Sequence, residues 1–292
     1  MKTDAHPRNI LRTYPHWFYL PAGVVFGVFF VLPTLAAFYF SLTRWTLFEA
    51  TFIGLDNYER FFNDPQLMSG LRNTFIYAVM TSGLKVIISL PLAMLLTSRI
   101  WLKGLLRGII FFPVLVSTVA VGITFAALMQ PSIGVINTAI RAIGLPAPDW
   151  LGNPGLALFS VALVDVWKGV GIATVIFIAG ILSIPLDYFE AARLEGGTWV
   201  KFRHVIIPLA RNATFTVILL SFIGGLRTFD LIWTMTRGGP GFASDVLTSV
   251  IYKQYQAGFY GLSTAGNVVQ FVLVTIIIYP LMRFFNRREL EL

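Results

Sequence analysis

Apolar runs of about 18 residues or more recur along this chain, and they restrict its fold more than any other feature. A helix rises about 1.5 Å per residue, so about 20 such residues cross the roughly 30 Å of hydrocarbon in a bilayer. Runs of this kind predict spans at about Trp17–Leu42, Thr74–Leu96, Gly108–Leu128, Leu156–Leu182, Ala213–Met235 and Gly261–Phe284. A mean hydropathy of +0.75 with only 12% charged residues is far from a soluble domain. A membrane barrel would instead alternate apolar and polar residues in segments of about ten. The expected fold is therefore an all-α polytopic membrane protein, a single six-span domain over residues 1–292. The first run continues too far for a cleavable leader and has no small-residue cleavage pattern after it. Pro33, Pro91, Pro113 and Pro280 lie within or beside the runs, where membrane helices tolerate kinks.

Basic residues sort by loop. Lys2, Arg8 and Arg12, then Arg99, Lys103 and Arg107, then Arg193, Lys201, Arg203 and Arg211, and finally Arg283, Arg287 and Arg288 fall on one side. Arg44, Arg60, Arg72, Arg141, Arg237 and Lys253 are spread over longer connections on the other. By the positive-inside rule both termini are cytoplasmic, as an even number of spans requires. The net charge of +8 then reflects this sorting, not a nucleic-acid surface. With no cysteine and three histidines, neither a disulfide framework nor a thiolate or histidine metal centre is expected.

The outward connections differ. Residues 43–73 carry four acids among scattered aromatics and predict a small ordered cap. IGLPAPDWLGNPG, ending at Gly155, reads as turns, and TRGGPGF, Thr236–Phe242, as a tight turn after the fifth span.

The inward segment between the fourth and fifth spans, residues 184–208, is the unusual one. EAARLEGGTWVKFRHVIIP, Glu190–Pro208, is charged and glycine-broken inside a chain that otherwise avoids charge. Ser183 and Pro185 suit a helix start, with Asp187 and Glu190 near its positive end. Gly196-Gly197 suits its stop, and Thr198 suits the cap of a second short helix, Trp199–Val205, ended by Pro208. Ala191 and Ala192 leave a flat surface for close approach, and Phe189, Leu194, Trp199 and Phe202 add apolar bulk. Such a segment either docks on another protein or rests on lipid headgroups.

The pattern resembles the EAA loop of the permease subunits of bacterial ABC importers: E-A-A, three residues, G, nine residues, I-x-L-P. Glu190, Ala191, Ala192 and Gly196 match its first half, and Val205, Ile207 and Pro208 its end, with the interval one residue short. TRGGP is similar to the T-G-G-G-P turn of the larger-type maltose and glycerol-phosphate permease subunits, with Arg237 in place of the first glycine; VDVWKGVG, Val164–Gly171, also fits that group. The resemblance implies the type I importer permease fold, half of an alternating-access path for a small carbohydrate or sugar derivative. It implies that Glu190, Ala191, Ala192 and Gly196, flanked by Phe189 and Leu194, contact an ATP-hydrolysing subunit. It further implies a second homologous permease subunit, two copies of that ATP-binding subunit, and a periplasmic or lipid-anchored substrate-binding protein. The location implied is the bacterial inner membrane, with membrane lipid as surroundings. No G-x-x-x-x-G-K-[ST] phosphate loop occurs here, so ATP and Mg belong to the partner and this chain binds no cofactor.

Charges at membrane depth are costly, about 2.5–3.5 kcal/mol each on insertion scales. Asp165 and Lys168, three residues apart, share a helix face and are expected to pair, and Arg227 and Asp230 repeat the spacing. Lys85 has no partner nearby in sequence, so a cavity or an acid on another helix is expected. Trp167 and Trp233 stand beside the charges as candidate sugar-stacking faces. These residues either line the solute path or form structural pairs. A secondary transporter using the charges as a proton relay is the alternative function. It leaves the EAA segment without a role, and no acid-base or metal constellation for a membrane enzyme is present.

Overall fold

The computed structural model describes residues 16–46 and 48–286. Lys2, Arg8, Arg12, Arg287 and Arg288, used above to orient the termini, lie outside the described residues. A first long helix, α1 (Trp17–Phe40), is apolar along its whole length and exposes Phe26, Phe29, Phe30 and Leu35, as a surface bathed in lipid does. A two-stranded antiparallel hairpin follows, β1 (Thr43–Trp45) and β2 (Ala50–Phe52), with Thr43 opposite Phe52. The short helix α2 (Asp56–Asn63) folds back on it. Buried Asn57 donates to the Ser41 and Thr43 carbonyls at 2.8 Å each, closing the expected cap.

The second span starts earlier than its hydropathy suggests. Helix α3 (Pro65–Thr97) runs 33 residues, because the Asp64 carboxylate accepts from the Gln66 and Leu67 amides and Pro65 supplies a pre-set first position. At about 1.5 Å per residue it is about 50 Å long, well beyond the hydrocarbon thickness. The third run is not one straight helix. Helices α4 (Lys103–Leu115) and α5 (Thr118–Leu128) meet at 99°, with Val116 and Ser117 in extended backbone between them. A short surface helix, α6 (Val135–Ala142), and a turn-rich loop lead to α7 (Ala157–Leu182), the most buried of the long helices. Trp150 anchors that loop: its indole nitrogen donates to Asn137 Oδ1 at 2.7 Å and its carbonyl accepts from Ser160.

Helices α8 (Leu186–Glu195) and α9 (Gly197–Leu209) form the inward segment, and α9 meets α10 (Arg211–Leu226) at 64°. The fifth run stops at Leu226, whereas a span to Met235 was expected. Residues 227–229 leave the helix before α11 (Asp230–Met235). The carbonyls freed there are met by other elements: Thr248 Oγ1 donates to the Thr228 carbonyl and Gln270 Nε2 to the Leu226 carbonyl at 3.2 Å. Helix α12 (Leu247–Gln256) and the last span, α13 (Tyr260–Asn286), complete the described residues. Among the described residues four helices are thus long and apolar enough to cross a bilayer unbroken, or up to six if each bent pair is one span.

The core lies where α3, α7 and α10 pack. Phe177, Ile181, Ile206 and Val217 are buried at one end, and Tyr77, Val161, Val164 and Ile232 at the other. Fully burying one such side chain is worth about 1.5–3 kcal/mol in water. Within a bilayer, close packing and internal hydrogen bonds replace much of that driving force.

Candidate functional site: the intramembrane charges and the inward elbow

Asp165 pairs across the α3–α7 contact, not along its own helix. Lys85 Nζ lies 2.8 Å from Asp165 Oδ2, with side-chain exposures of 9% and 22%, so both charges are largely shut away and mutually neutralised. The expected Asp165–Lys168 pair is therefore not formed. Lys168 is half-buried and makes no ion pair among the described residues. Gly169 explains how α7 admits the lysine. A Cβ there would stand 2.5 Å from Lys85 Cε and 2.8 Å from Nζ, so any side chain would displace the ammonium group.

The expected Arg227–Asp230 pair is likewise absent. The helix ends between them, so the three-residue spacing no longer puts them on one face, and both are exposed. What gathers at this break is aromatic. Phe229 and Trp233 stack with centroids 5.6 Å apart, and Tyr252 of α12 meets both edge-on at 5.2 and 4.9 Å. Phe229 and Tyr252 were not singled out from sequence; the four-residue spacing of Phe229 and Trp233 was an available signal, whereas Tyr252 had none. Trp167 is separate from this cluster: it is 41% exposed and tilts against Phe125 at 5.1 Å.

The TRGGP turn is held from inside. Gly238 has φ +84°, and a Cβ there would stand 1.8 Å from Asp245 Oδ1. Asp245 is fully buried, receives Lys253 Nζ at 2.7 Å and accepts from Ser249 Oγ at 2.8 Å. Asn73 of α3 donates to the Ala243 and Asp245 carbonyls at 3.0 and 2.9 Å, and the Leu247 amide donates to Thr74 Oγ1. The N-terminal half of α3 and this loop are thus one hydrogen-bonded unit.

In the charged segment between α7 and α10, α8 ends at Gly196, whose φ of +151° turns the chain, and Gly197 at φ +73° continues the bend. Ser183 does not cap α8; its hydroxyl donates back to the Gly180 carbonyl, and Pro185 takes the cap position. Thr198 caps nothing either, because the second helix already begins at Gly197. Pro208 lies within α9, which gives way only at Ala210.

The expected contact set divides into two faces. Ala192 is buried with Ile184 and Val205, and Phe189 packs against the same cluster while the Lys201 ammonium sits 4.9 Å from its ring centroid. The flat Ala191–Ala192 surface is therefore reduced to Ala191. Glu190, Ala191 and Gly196 are exposed, and Leu194 is 90% exposed, an apolar side chain standing free at the elbow.

Comparison with known proteins bears on the family and the fold. Residues 85–290 match the family described as binding-protein-dependent transport system inner membrane component. The trehalose/maltose transport system permease protein MalF of Thermococcus litoralis is 32% identical over 271 residues, 91% of this chain and 92% of that protein. The probable ABC transporter permease protein YurN of Bacillus subtilis is 33% identical, covering 97% of this chain and 99% of that one. Among solved structures, a chain of a bacterial alginate ABC transporter in complex with an alginate pentasaccharide-bound periplasmic protein superposes with a TM-score of 0.80. It covers 92% of this chain and 93% of that chain at 21% identity, which is a likeness of fold. The chain belongs to the family of binding-protein-dependent transport system inner membrane components.

Proposed function

We propose that the chain is a permease subunit of an ATP-driven ABC importer for a small carbohydrate or sugar derivative, and that its inward elbow receives the force of ATP hydrolysis. The observation that carries this reading is Leu194: a leucine 90% exposed at a glycine-turned elbow is an apolar anchor awaiting a partner's groove. Glu190 and Ala191 stand on the same exposed helix and complete the contact. ATP and Mg are then bound by the partner, in two copies, with a second homologous permease subunit closing the path. A substrate-binding protein, periplasmic or lipid-anchored, delivers solute from outside. Six crossings, with both termini and the elbow cytoplasmic, fit the basic residues of the inward loops.

Carbohydrate as cargo is supported by the names of the relatives, which include trehalose, maltose and alginate transporters. The half-exposed rings of Phe229, Trp233 and Tyr252 beside Arg227 and Asp230 offer what a sugar uses, an aromatic face flanked by hydrogen-bonding groups. In this reading the Lys85–Asp165 pair braces α3 against α7, and Lys168 and Trp167 border the path.

The test is Leu194→Asp in the assembled transporter. ATP-driven uptake is expected to fall by about tenfold or more, ATP hydrolysis no longer responds to loaded binding protein, and the chain still purifies folded. Uptake by this chain alone, driven by a proton or sodium gradient, would establish the secondary-transport alternative instead.

A further inference from the structure

We infer that the inward end of α7 carries a binding site for the phosphate headgroup of an acidic phospholipid. A cavity of about 710 Å³ opens where the end of α3, the end of α7 and the elbow meet. Arg99, Arg193 and Lys201 line it from three separate segments. None of the three makes an ion pair among the described residues, and no carboxylate lines the cavity. Phe189 holds Lys201 at the wall through the contact of its ring with the ammonium group. Three cations lining one cavity, none of them ion-paired among the described residues, suit an anion with several acceptor oxygens, and phosphate supplies them.

The rest of the lining identifies the source of that phosphate. Leu182 and Leu186 also border the cavity and are 65% and 63% exposed, so apolar surface runs on from the cations. A free phosphate ion has no use for that surface, whereas an acyl chain covers it. Cationic pockets beside membrane helices at the cytoplasmic leaflet are where acidic lipids bind, and this assignment rests on the inward end being cytoplasmic. Leu194 and Glu190 do not line the cavity, so the lipid site and the proposed docking tip are distinct surfaces of one elbow.

The test is native mass spectrometry of the full chain titrated with phosphatidylglycerol and with phosphatidylcholine. One phosphatidylglycerol is expected to be retained with a preference on the order of tenfold or more, since each cation near an anionic surface is worth about a fivefold change. The R99Q/R193Q/K201Q variant loses the preference, and R99K/R193K keeps it. Equal retention of the two lipids by the unaltered chain overturns the proposal without recourse to any variant. Displacement of phosphatidylglycerol by equimolar inorganic phosphate overturns the lipid as the source. Expulsion of the lipid when the ATP-hydrolysing subunit is added shows the pocket to be a protein contact, and likewise overturns it.

Discussion

Breaking the Lys85–Asp165 pair has unequal consequences depending on which partner is removed. In Asp165→Asn the Lys85 ammonium, 9% exposed and wedged against Gly169, keeps no carboxylate within reach among the described residues. Removing one member of a buried pair costs about 3–5 kcal/mol, because the remaining charge stays desolvated and unmatched. Lys85→Met should cost less, about 2 kcal/mol. Asp165 is the more exposed partner at 22%, and Lys168, three residues along the same helix, is free to turn to it. The double variant K85M/D165N removes both charges and should return to within about 1–2 kcal/mol of the unaltered chain. Equilibrium unfolding in mixed micelles with rising dodecyl sulfate, followed by tryptophan fluorescence, measures all four corners of this cycle. A coupling of at least about 2 kcal/mol is expected between the two sites. Additivity of the single variants within about 0.5 kcal/mol would refute the idea that these charges sustain each other.

Two other substitutions probe the loop after α11 and the aromatic cluster at the α10 break. Gly238→Ala places a Cβ 1.8 Å from Asp245 Oδ1 at a φ of +84°, so a loss of about 2–5 kcal/mol is expected in the same unfolding assay; an unchanged midpoint would show that the loop shifts freely. Trp233→Ala removes the largest ring of the cluster at the α10 break and should raise the half-saturating sugar concentration for uptake roughly three- to tenfold, with binding of sugar to the delivery protein unaltered.

Hydropathy located the long helices because a bilayer demands only length and apolarity, and α1, α7 and α13 meet both demands without interruption. It passed over the breaks at residues 116–117 and 227–229 because the flanking sequence is equally apolar on both sides, and a window average does not register a change of direction. The start of α3 was obscured for the opposite reason. Gln66, Arg72 and Asn73 are polar, so a helix that projects beyond the lipid looks like loop, although Asp64-Pro65 is a cap signal. The true partner of Asp165 lies 80 residues away, and helix spacing identifies only neighbours on the same helix. In the elbow, the residue types and the glycine turn were readable. Which face of α8 turns inward depends on Ile184 and Val205, which reach Ala192 only once the chain has folded.

The length of α3 makes it an unequal balance beam. Lys85, clasped by α7, stands about 30 Å from the outer end at Pro65 but only about 18 Å from the inner end at Thr97. If the clasp is the fulcrum, a tilt of about 10° moves the inner end by about 3 Å and the outer end by about 5 Å. Because Asn73 and Thr74 fasten the outer arm to the TRGGP loop and α12, that loop follows the longer stroke. On that geometry a small displacement beside the elbow would be magnified at the far end of α3.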